Sequence, residues 1–281
     1  MPSIKKILFP VDFSQRSIGA ARYVESFAAW FDSEIMLLYV IDADETATRD
    51  SIAQRWLASR EEQLETFLAD EFKSFSPRRV CRIGDPTEEI VKIVRSWAPD
   101  LLMMPTHGLG FFRPSLLGSV TAKVLHDVDC PVWTAVHAEQ TPPLQKITLS
   151  KVLCAVDLGT RSAHVLEWAA SLANQREVDL GIVHATPILE PSPGRTPDRD
   201  LTDSLAANAK ARLARLQATA GTRATVFVNA GQPHKVVECA AREFGADLLV
   251  IGRHSGDGHD GYLRHNAYRI IRESRCPVIS I

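Results

Sequence analysis

The sequence has no long hydrophobic run and no large excess of charge of either sign. Its 281 residues include 32 Lys and Arg against 34 Asp and Glu, a formal net charge of −2. That balance removes the electrostatic argument for a nucleic-acid partner, and no stretch approaches the roughly 18 apolar residues that a membrane span needs. The N-terminal apolar stretch is too short for a signal peptide. We therefore expect no nucleic acid and no membrane as partners, and a cytoplasmic location.

Cysteine is scarce, and its spacing is typical of neither a disulfide framework nor a zinc finger. The five cysteines form no Cys-x-x-Cys pair; they are Cys81, Cys130, Cys154, Cys239 and Cys276. We expect reduced, buried thiols. The G-x-x-x-x-G-K-[ST] motif is also missing, which argues against a P-loop protein.

What the sequence does contain is a long internal repeat. Three segments recur after 145 to 147 residues: Asp100-Leu101-Leu102 as Asp247-Leu248-Leu249, Val11-Asp12 as Val156-Asp157, and Cys130-Pro131-Val132 as Cys276-Pro277-Val278. Near-constant offsets indicate a duplication, and a period this long is typical of two whole domains, since solenoid repeats span about 20–50 residues. We place the domains at residues 1–140 and 148–281, because Thr141-Pro142-Pro143 interrupts the pattern between them.

Each half alternates between strands and helices, and its strands are nearly continuous apolar runs. Strands of that kind are buried on both faces of a parallel sheet. The predicted fold class is α/β: two tandem, open-twisted, mostly parallel five-stranded sheets with helices on both faces. The spacing of Leu57, Leu64, Leu68 and Phe72 predicts a long second helix over about 48–73. The run Asp85-Pro86-Thr87-Glu88 predicts the start of the third helix, with Asp85 as its cap.

A glycine-containing loop in the first half carries the strongest functional signal. Pro105-Thr106-His107-Gly108 follows an apolar strand, and Gly118-Ser119-Val120-Thr121 opens the next helix. Glycines let a backbone approach an anion, and the first turn of a helix presents unpaired N–H groups. We predict a phosphate site, with Gly108 and Gly118 giving access and Ser119, Val120 and Thr121 supplying donors. On this view Gly118→Val abolishes binding and leaves the fold intact. The alternative is a purely structural turn.

Asp12 closes the first strand, at the edge where open α/β sheets bind ligands. A carboxylate beside a phosphate is unfavourable unless it meets a ribose hydroxyl, an adenine amino group or a bridging Mg²⁺ ion. We expect one of these three roles. The alternative is a cap for the helix that follows.

These residues resemble the universal stress protein family, and the resemblance covers essentially the whole chain twice. Asp12, Val40 and three of the four positions of the family's Gly-x-x-Gly-x9-Gly-Ser/Thr loop match; Pro105 stands where the family often has glycine and lacks an N–H. The resemblance implies an adenine nucleotide alpha hydrolase-like fold that binds ATP or a related adenine nucleotide, with or without Mg²⁺. The implied contact residues are Pro10, Val11, Asp12, Val40, Met104, Pro105, His107, Gly108, Gly118, Ser119, Val120 and Thr121.

The second half departs from the family's loop. Gly252 keeps the first signature position, but Ser255, His265 and Asn266 replace the remaining Gly, Gly and Ser. A histidine is expected to block a phosphate that must meet bare backbone, so one nucleotide site per chain is expected, in the first domain. The same region carries His254, His259 and His265. Histidines are competent zinc ligands, but this spacing follows no known finger, and a solvated polar loop is the favoured interpretation.

Two functions stay open. The first is a stress-response regulator whose bound nucleotide changes its conformation or the surface offered to an unidentified protein partner. The second is a dimeric scaffold that binds no nucleotide, its loop made inert by Pro105. The family resemblance suggests a homodimer of tandem chains. No catalytic residue is assigned, because no convincing general base is present; His107 is expected to position the loop, and any ATP hydrolysis to be slow.

Overall fold

The computed structural model describes residues 4–42, 50–107, 117–136, 140, 143–144, 147–188, 199–253 and 260–281. The chain divides into two compact units, Ser3–Ile147 and Thr148–Ile281. Within the described ranges, none of the helices combines the length and the apolar character that crossing a membrane requires.

The first unit is a parallel sheet flanked by helices. Its strands are β1 (Lys6–Val11), β2 (Glu34–Asp42), β3 (Arg78–Gly84), β4 (Leu101–Met103) and β5 (Val132–Thr134). Its helices are α1 (Gln15–Phe31), α2 (Asp50–Thr66), α3 (Pro86–Trp97) and α4 (Ser119–Asp127). The strand order is β3-β2-β1-β4-β5. Ile7, Leu8 and Phe9 in the central strand are fully buried, as expected for a strand covered on both faces.

The second unit repeats this topology. Its strands are β6 (Lys151–Ala155), β7 (Asp179–Thr186), β8 (Thr225–Ala230), β9 (Leu248–Ile251) and β10 (Val278–Ser280). Its helices are α5 (Ser162–Arg176), α6 (Arg199–Ala220), α7 (Pro233–Phe244) and α8 (Asp260–Glu273). The parallel strands run in the order β8-β7-β6-β9-β10, which corresponds to the order of the first unit. The predicted fold class is confirmed.

The repeated Asp-Leu-Leu motif ties neighbouring strands together at their amino ends. Asp100 Oδ2 accepts hydrogen bonds from the amides of Lys5 at 2.8 Å and Lys6 at 2.9 Å. Asp247 Oδ2 does the same for the amides of Ser150 at 2.8 Å and Lys151 at 3.0 Å. The carboxylate therefore sets the register of β4 on β1, and of β9 on β6, which explains why this motif marks the duplication.

Two helix boundaries test the sequence predictions. Asp85 caps α3 as predicted, because its Oδ1 accepts from the Glu88 amide at 2.9 Å. The predicted extension of α2 to residue 73 is wrong, since the helix ends at Thr66 and Leu68 has a left-handed φ of 59°. Leu68 and Phe72 are nevertheless buried. Their apolar spacing reflects turns that pack on the sheet, not a continuing helix.

Candidate functional site

The carboxyl ends of β1 and β4 lie where the winding direction of the first sheet reverses. β1 pairs with β2 on one side and with β4 on the other, so the connections leave in different directions and a crevice opens between them. The predicted contact residues fall at this edge. On the β1 and β2 side, Pro10 and Val11 end β1, Asp12 follows it, and Val40 lies near the end of β2. On the other side, the residues after β4 and at the start of α4 are Met104, Pro105, His107, Gly118, Ser119, Val120 and Thr121. Gly108 lies outside the described residues.

Asp12 holds the turn into α1 with one oxygen only. Its Oδ1 accepts hydrogen bonds from the Ser14 amide at 3.1 Å and the Ser17 hydroxyl at 2.7 Å. The cap of α1 is Ser14, which accepts from the Ser17 amide at 3.2 Å. Asp12 Oδ2 is buried and has no hydrogen-bond partner among the described residues. Because a buried acceptor without a donor is costly, this atom is a candidate acceptor for a donor that the described residues do not supply.

The start of α4 is fastened to the chain that leaves β4. The Gly118 amide donates to the Thr106 carbonyl at 2.8 Å, and the Thr121 hydroxyl donates to the Pro105 carbonyl at 3.2 Å. The Gly118 amide is therefore not available as a donor to an anion, and the predicted role of Gly118 in giving an anion access to the backbone stays a prediction. A Cβ at this position would lie 3.0 Å from the Thr106 oxygen, so we expect Gly118→Val to strain the fold as well as the site.

The first turn of α4 still offers donors. The amides of Ser119, Val120 and Thr121 have no acceptor within the helix, and Gly118 supplies no side-chain cap. Ser119 is exposed. These three amides, with the positive end of the helix dipole, are what an anion at this edge would meet.

Pro105 and His107 are built into the strand-to-helix connection. The amides of Met104 and Thr106 donate to carbonyls of Trp133 and Ala135 at 3.1 and 3.2 Å. Pro105 sits between these two donors, so its missing N–H removes no bond to the β5 side. His107 is buried, and its Nδ1 lies 3.0 Å from the Thr106 hydroxyl. This position suits the predicted role of His107 in holding the loop.

Aromatic side chains form one wall of the same edge, and the sequence analysis missed them. Phe13 packs on Tyr39 with ring centroids 4.4 Å apart and on Phe67 at 4.9 Å. The Arg60 guanidinium lies 6.0 Å from the Tyr39 ring and 5.4 Å from the ring of Trp56, which is 40% exposed. A usable signal existed, because Phe13 follows the end of β1 and Tyr39 pairs with Val11, the last residue of β1, in the neighbouring parallel strand.

The second unit keeps the aspartate turn but changes the helix beside it. Asp157 Oδ1 accepts from the Gly159 amide at 2.7 Å and the Ser162 hydroxyl at 2.9 Å, which repeats the arrangement at Asp12. By the 147-residue offset Asn266 corresponds to Ser119. However, α8 already begins at Asp260, so the amide of Asn266 lies inside the helix, where it is bonded to the preceding turn. The crevice of this unit therefore lacks a helix N-terminus at the matching position.

A cavity of about 150 Å³ lies at the carboxyl ends of β6 and β9 in the second unit. Its lining includes Asp157, His184, Arg253 and Asn266. The sequence analysis predicted a blocked site here through His265, whose side chain lies outside the described residues.

Comparison with known proteins identifies the family. The universal stress protein family model matches the chain twice, over residues 3–135 and 148–281. The chain belongs to the universal stress protein family. Universal stress protein MJ0577 of Methanocaldococcus jannaschii is 32% identical over 149 residues, which cover 46% of this chain and 92% of that protein. A universal stress protein of Methanothermobacter thermautotrophicus is 31% identical over 110 residues, covering 36% of this chain and 75% of that protein.

A solved structure confirms the tandem organisation of this universal stress protein. The crystal structure of a universal stress protein from Archaeoglobus fulgidus superimposes with a TM-score of 0.70 and 25% identity, covering 98% of this chain and 97% of that one. The family resemblance seen in the sequence is thereby confirmed.

Within the described ranges, this universal stress protein brings no three His, Cys, Asp or Glu side chains together as a metal site. His254 and His259 lie outside those ranges.

Proposed function

We propose that this universal stress protein binds ATP or a related adenine nucleotide in its first unit. One observation carries the proposal: among the described residues Asp12 Oδ2 is a buried acceptor without a donor, at the same sheet edge as the first-turn amides of α4, which have no acceptor within the helix. One ligand that carries a hydroxyl or amino donor and an anionic group satisfies both. A nucleotide has this combination, and neither a bare anion nor an apolar ligand does.

Different residues of the crevice suit different parts of the nucleotide. The amides of Ser119, Val120 and Thr121 suit a phosphate group. An ionised Asp12 can only accept hydrogen bonds, so it suits a ribose hydroxyl or an adenine amino group; Mg²⁺, when bound, would supply positive charge between a carboxylate and phosphate oxygens. The Phe13 and Tyr39 rings provide an apolar wall beside that carboxylate.

The regulatory role follows from where these residues lie. The α4 N-terminus is held to β4 through Gly118 and Thr121, so a ligand on its first turn acts directly on this connection. We propose that nucleotide binding orders this edge and changes the surface offered to a protein partner. A homodimer of tandem chains and a cytoplasmic location stay predictions, as do the domain limits at residues 140 and 148.

The test compares Asp12→Asn with Asp157→Asn in the full chain, using calorimetric titration with ATP. Asparagine keeps Oδ1 as an acceptor for the turn but replaces Oδ2 with a donor. We expect Asp12→Asn to weaken ATP binding about tenfold to a hundredfold, which is the loss of one hydrogen bond to a charged group. Asp157→Asn, the matched change in the second unit, is expected to leave the affinity unchanged.

The opposite results would contradict the proposal. Equal ATP affinity of Asp12→Asn and the unchanged protein would remove Asp12 from the site. No heat with millimolar ATP, in a chain that unfolds cooperatively, would favour the dimeric scaffold. Melting temperatures of both variants check that the turn into α1 survives.

A further inference from the structure

The second unit contains a cavity whose chemistry differs from that of the first-unit crevice. We infer that this cavity is a separate binding site for a small organic carboxylate with an apolar body. Its volume is about 150 Å³, and its apolar walls include Val156, Val165, Val237 and Ile251. This inference is independent of the proposed nucleotide site, because every lining residue belongs to the second unit.

A buried cation provides the anchor for the carboxylate. Arg253 lines the cavity and is 5% exposed; its counterpart in the first unit, 147 residues earlier, is the neutral Thr106. Guanidinium groups bind carboxylates through two parallel hydrogen bonds, and burial strengthens such a pair. The exposed Arg161 also lines the cavity, as does the carboxylate of Asp157.

His184 adds a second polar contact. Its Nδ1 lies 2.8 Å from the Val156 carbonyl, which makes Nδ1 the donor and leaves Nε2 as an acceptor in the neutral ring. The corresponding first-unit residue is Tyr39, one of the aromatic wall residues. The second unit has therefore exchanged a threonine and a tyrosine for two basic side chains at the same sheet edge.

The geometry argues against a nucleotide in this cavity. Because α8 begins at Asp260, the amide of Asn266 is an interior helical group and cannot serve a phosphate. The volume is also about half of the roughly 300 Å³ at which drug-sized ligand pockets begin. An apolar cavity of about 150 Å³ is known to hold a benzene molecule. A benzoate-sized carboxylate therefore fits, with its ring between the apolar walls and its charge on Arg253.

The test follows 4-fluorobenzoate by ¹⁹F NMR during titration into the full chain. We expect saturable binding, weakened about tenfold or more by Arg253→Met, because one charge-assisted pair is lost. Ala267→Leu fills the cavity from α8 and leaves the Arg253 side chain in the sequence, and we expect it to prevent binding. Arg223→Met removes an exposed arginine that does not line the cavity, and we expect it to bind like the unchanged protein.

Three results would overturn the inference. They are the absence of saturable binding, unchanged affinity in both Arg253→Met and Ala267→Leu, and displacement of the probe by ATP or inorganic phosphate. If Arg253→Met fails to fold, Ala267→Leu carries the test. Asp12→Asn is expected to bind the probe normally, so failure of the nucleotide proposal and failure of this one give different results.

Discussion

Gly118 joins the chain that leaves β4 to the first turn of α4. A glycine before a helix predicts bare backbone for an anion, whereas here the amide is bonded to Thr106 and the missing Cβ makes room for the same carbonyl. A sequence pattern cannot distinguish access for an anion from room for a neighbouring carbonyl, because both require a residue without a side chain. The close approach becomes visible only when the strand end and the helix start are placed together.

Gly118→Ala is expected to lower the free energy of unfolding by about 1–3 kcal/mol, the usual cost of forcing an extra carbon into a packed site. The obstacle is a backbone oxygen at 3.0 Å, which cannot rotate away. Urea unfolding followed by tryptophan fluorescence measures this loss. Gly252→Ala is the matched control, since its Cβ would meet only a methyl group of Val165 at 3.3 Å. A loss as large for the control as for Gly118→Ala would contradict the argument.

His234 makes the stability of the second unit depend on pH. It is buried, its Nδ1 has no hydrogen-bond partner among the described residues, and its Nε2 lies 3.4 Å from Glu273. Burial lowers the pKa of His234 below its ordinary value; Glu273 opposes this effect, and Arg269, Lys235 and Arg272 add to it. The unfolded chain therefore takes up this proton at a higher pH than the folded chain. Stability is full above the unfolded value of about 6.5 and falls as the pH drops below it.

His234→Thr removes this dependence, and threonine is the residue that the first unit has at the matching position, Thr87. We expect the melting temperature of the unchanged protein to fall between pH 7 and pH 5, and that of the variant to fall less steeply. His164→Thr changes an exposed histidine and serves as the control. Parallel curves for the unchanged protein and His234→Thr would exclude His234 as the cause.

At the scale of elements, the sequence predicts what apolar periodicity controls and misses what packing controls. The strands and the start of α3 follow from buried runs and from the cap at Asp85. The end of α2 does not, because Leu68 and Phe72 stay buried after the helix has ended. Likewise α8 begins at Asp260, so Asn266, which the motif aligns with the helix-opening Ser119, lies well inside a helix.

The position of each cysteine in the fold determines how reactive its thiol is. Burial in β6 raises the pKa of Cys154, and burial together with the nearby Glu61 raises the pKa of Cys81 in β3 to about 11. Cys239 on α7 is exposed. Since the thiolate is the reactive form, we expect iodoacetamide at pH 8 to label Cys239 in the folded protein while Cys81 and Cys154 resist. Mass spectrometry of digested protein measures each site, with urea-unfolded protein as the control. Rapid labelling of Cys154 in folded protein would contradict its burial.

At the scale of the whole molecule, the two units share the aspartates that hold their strands and turns in place and differ in residues at the carboxyl edge of the sheet. Both units retain the strand-tying aspartate, as Asp100 and Asp247, and the turn-holding aspartate, as Asp12 and Asp157. Two of the differences lie near the carboxyl ends of the strands, where the first unit has Thr106 and Tyr39 and the second has Arg253 and His184. These replacements are the reason for proposing a different ligand for each copy of the fold.

Hydrogen–deuterium exchange on the full chain locates the two ligands in one experiment. We expect ATP to slow exchange in peptides covering residues 12–17 and 119–125, because the turn after β1 and the first turn of α4 are the proposed contacts. We expect 4-fluorobenzoate to slow exchange in peptides covering 156–165 and 264–271, around the second-unit cavity. In Asp12→Asn only the ATP effect is expected to weaken, and in Ala267→Leu only the fluorobenzoate effect. Protection of the second-unit peptides by ATP would show that the duplicated units have not separated their ligands, because the same edge would then bind a nucleotide without a helix N-terminus.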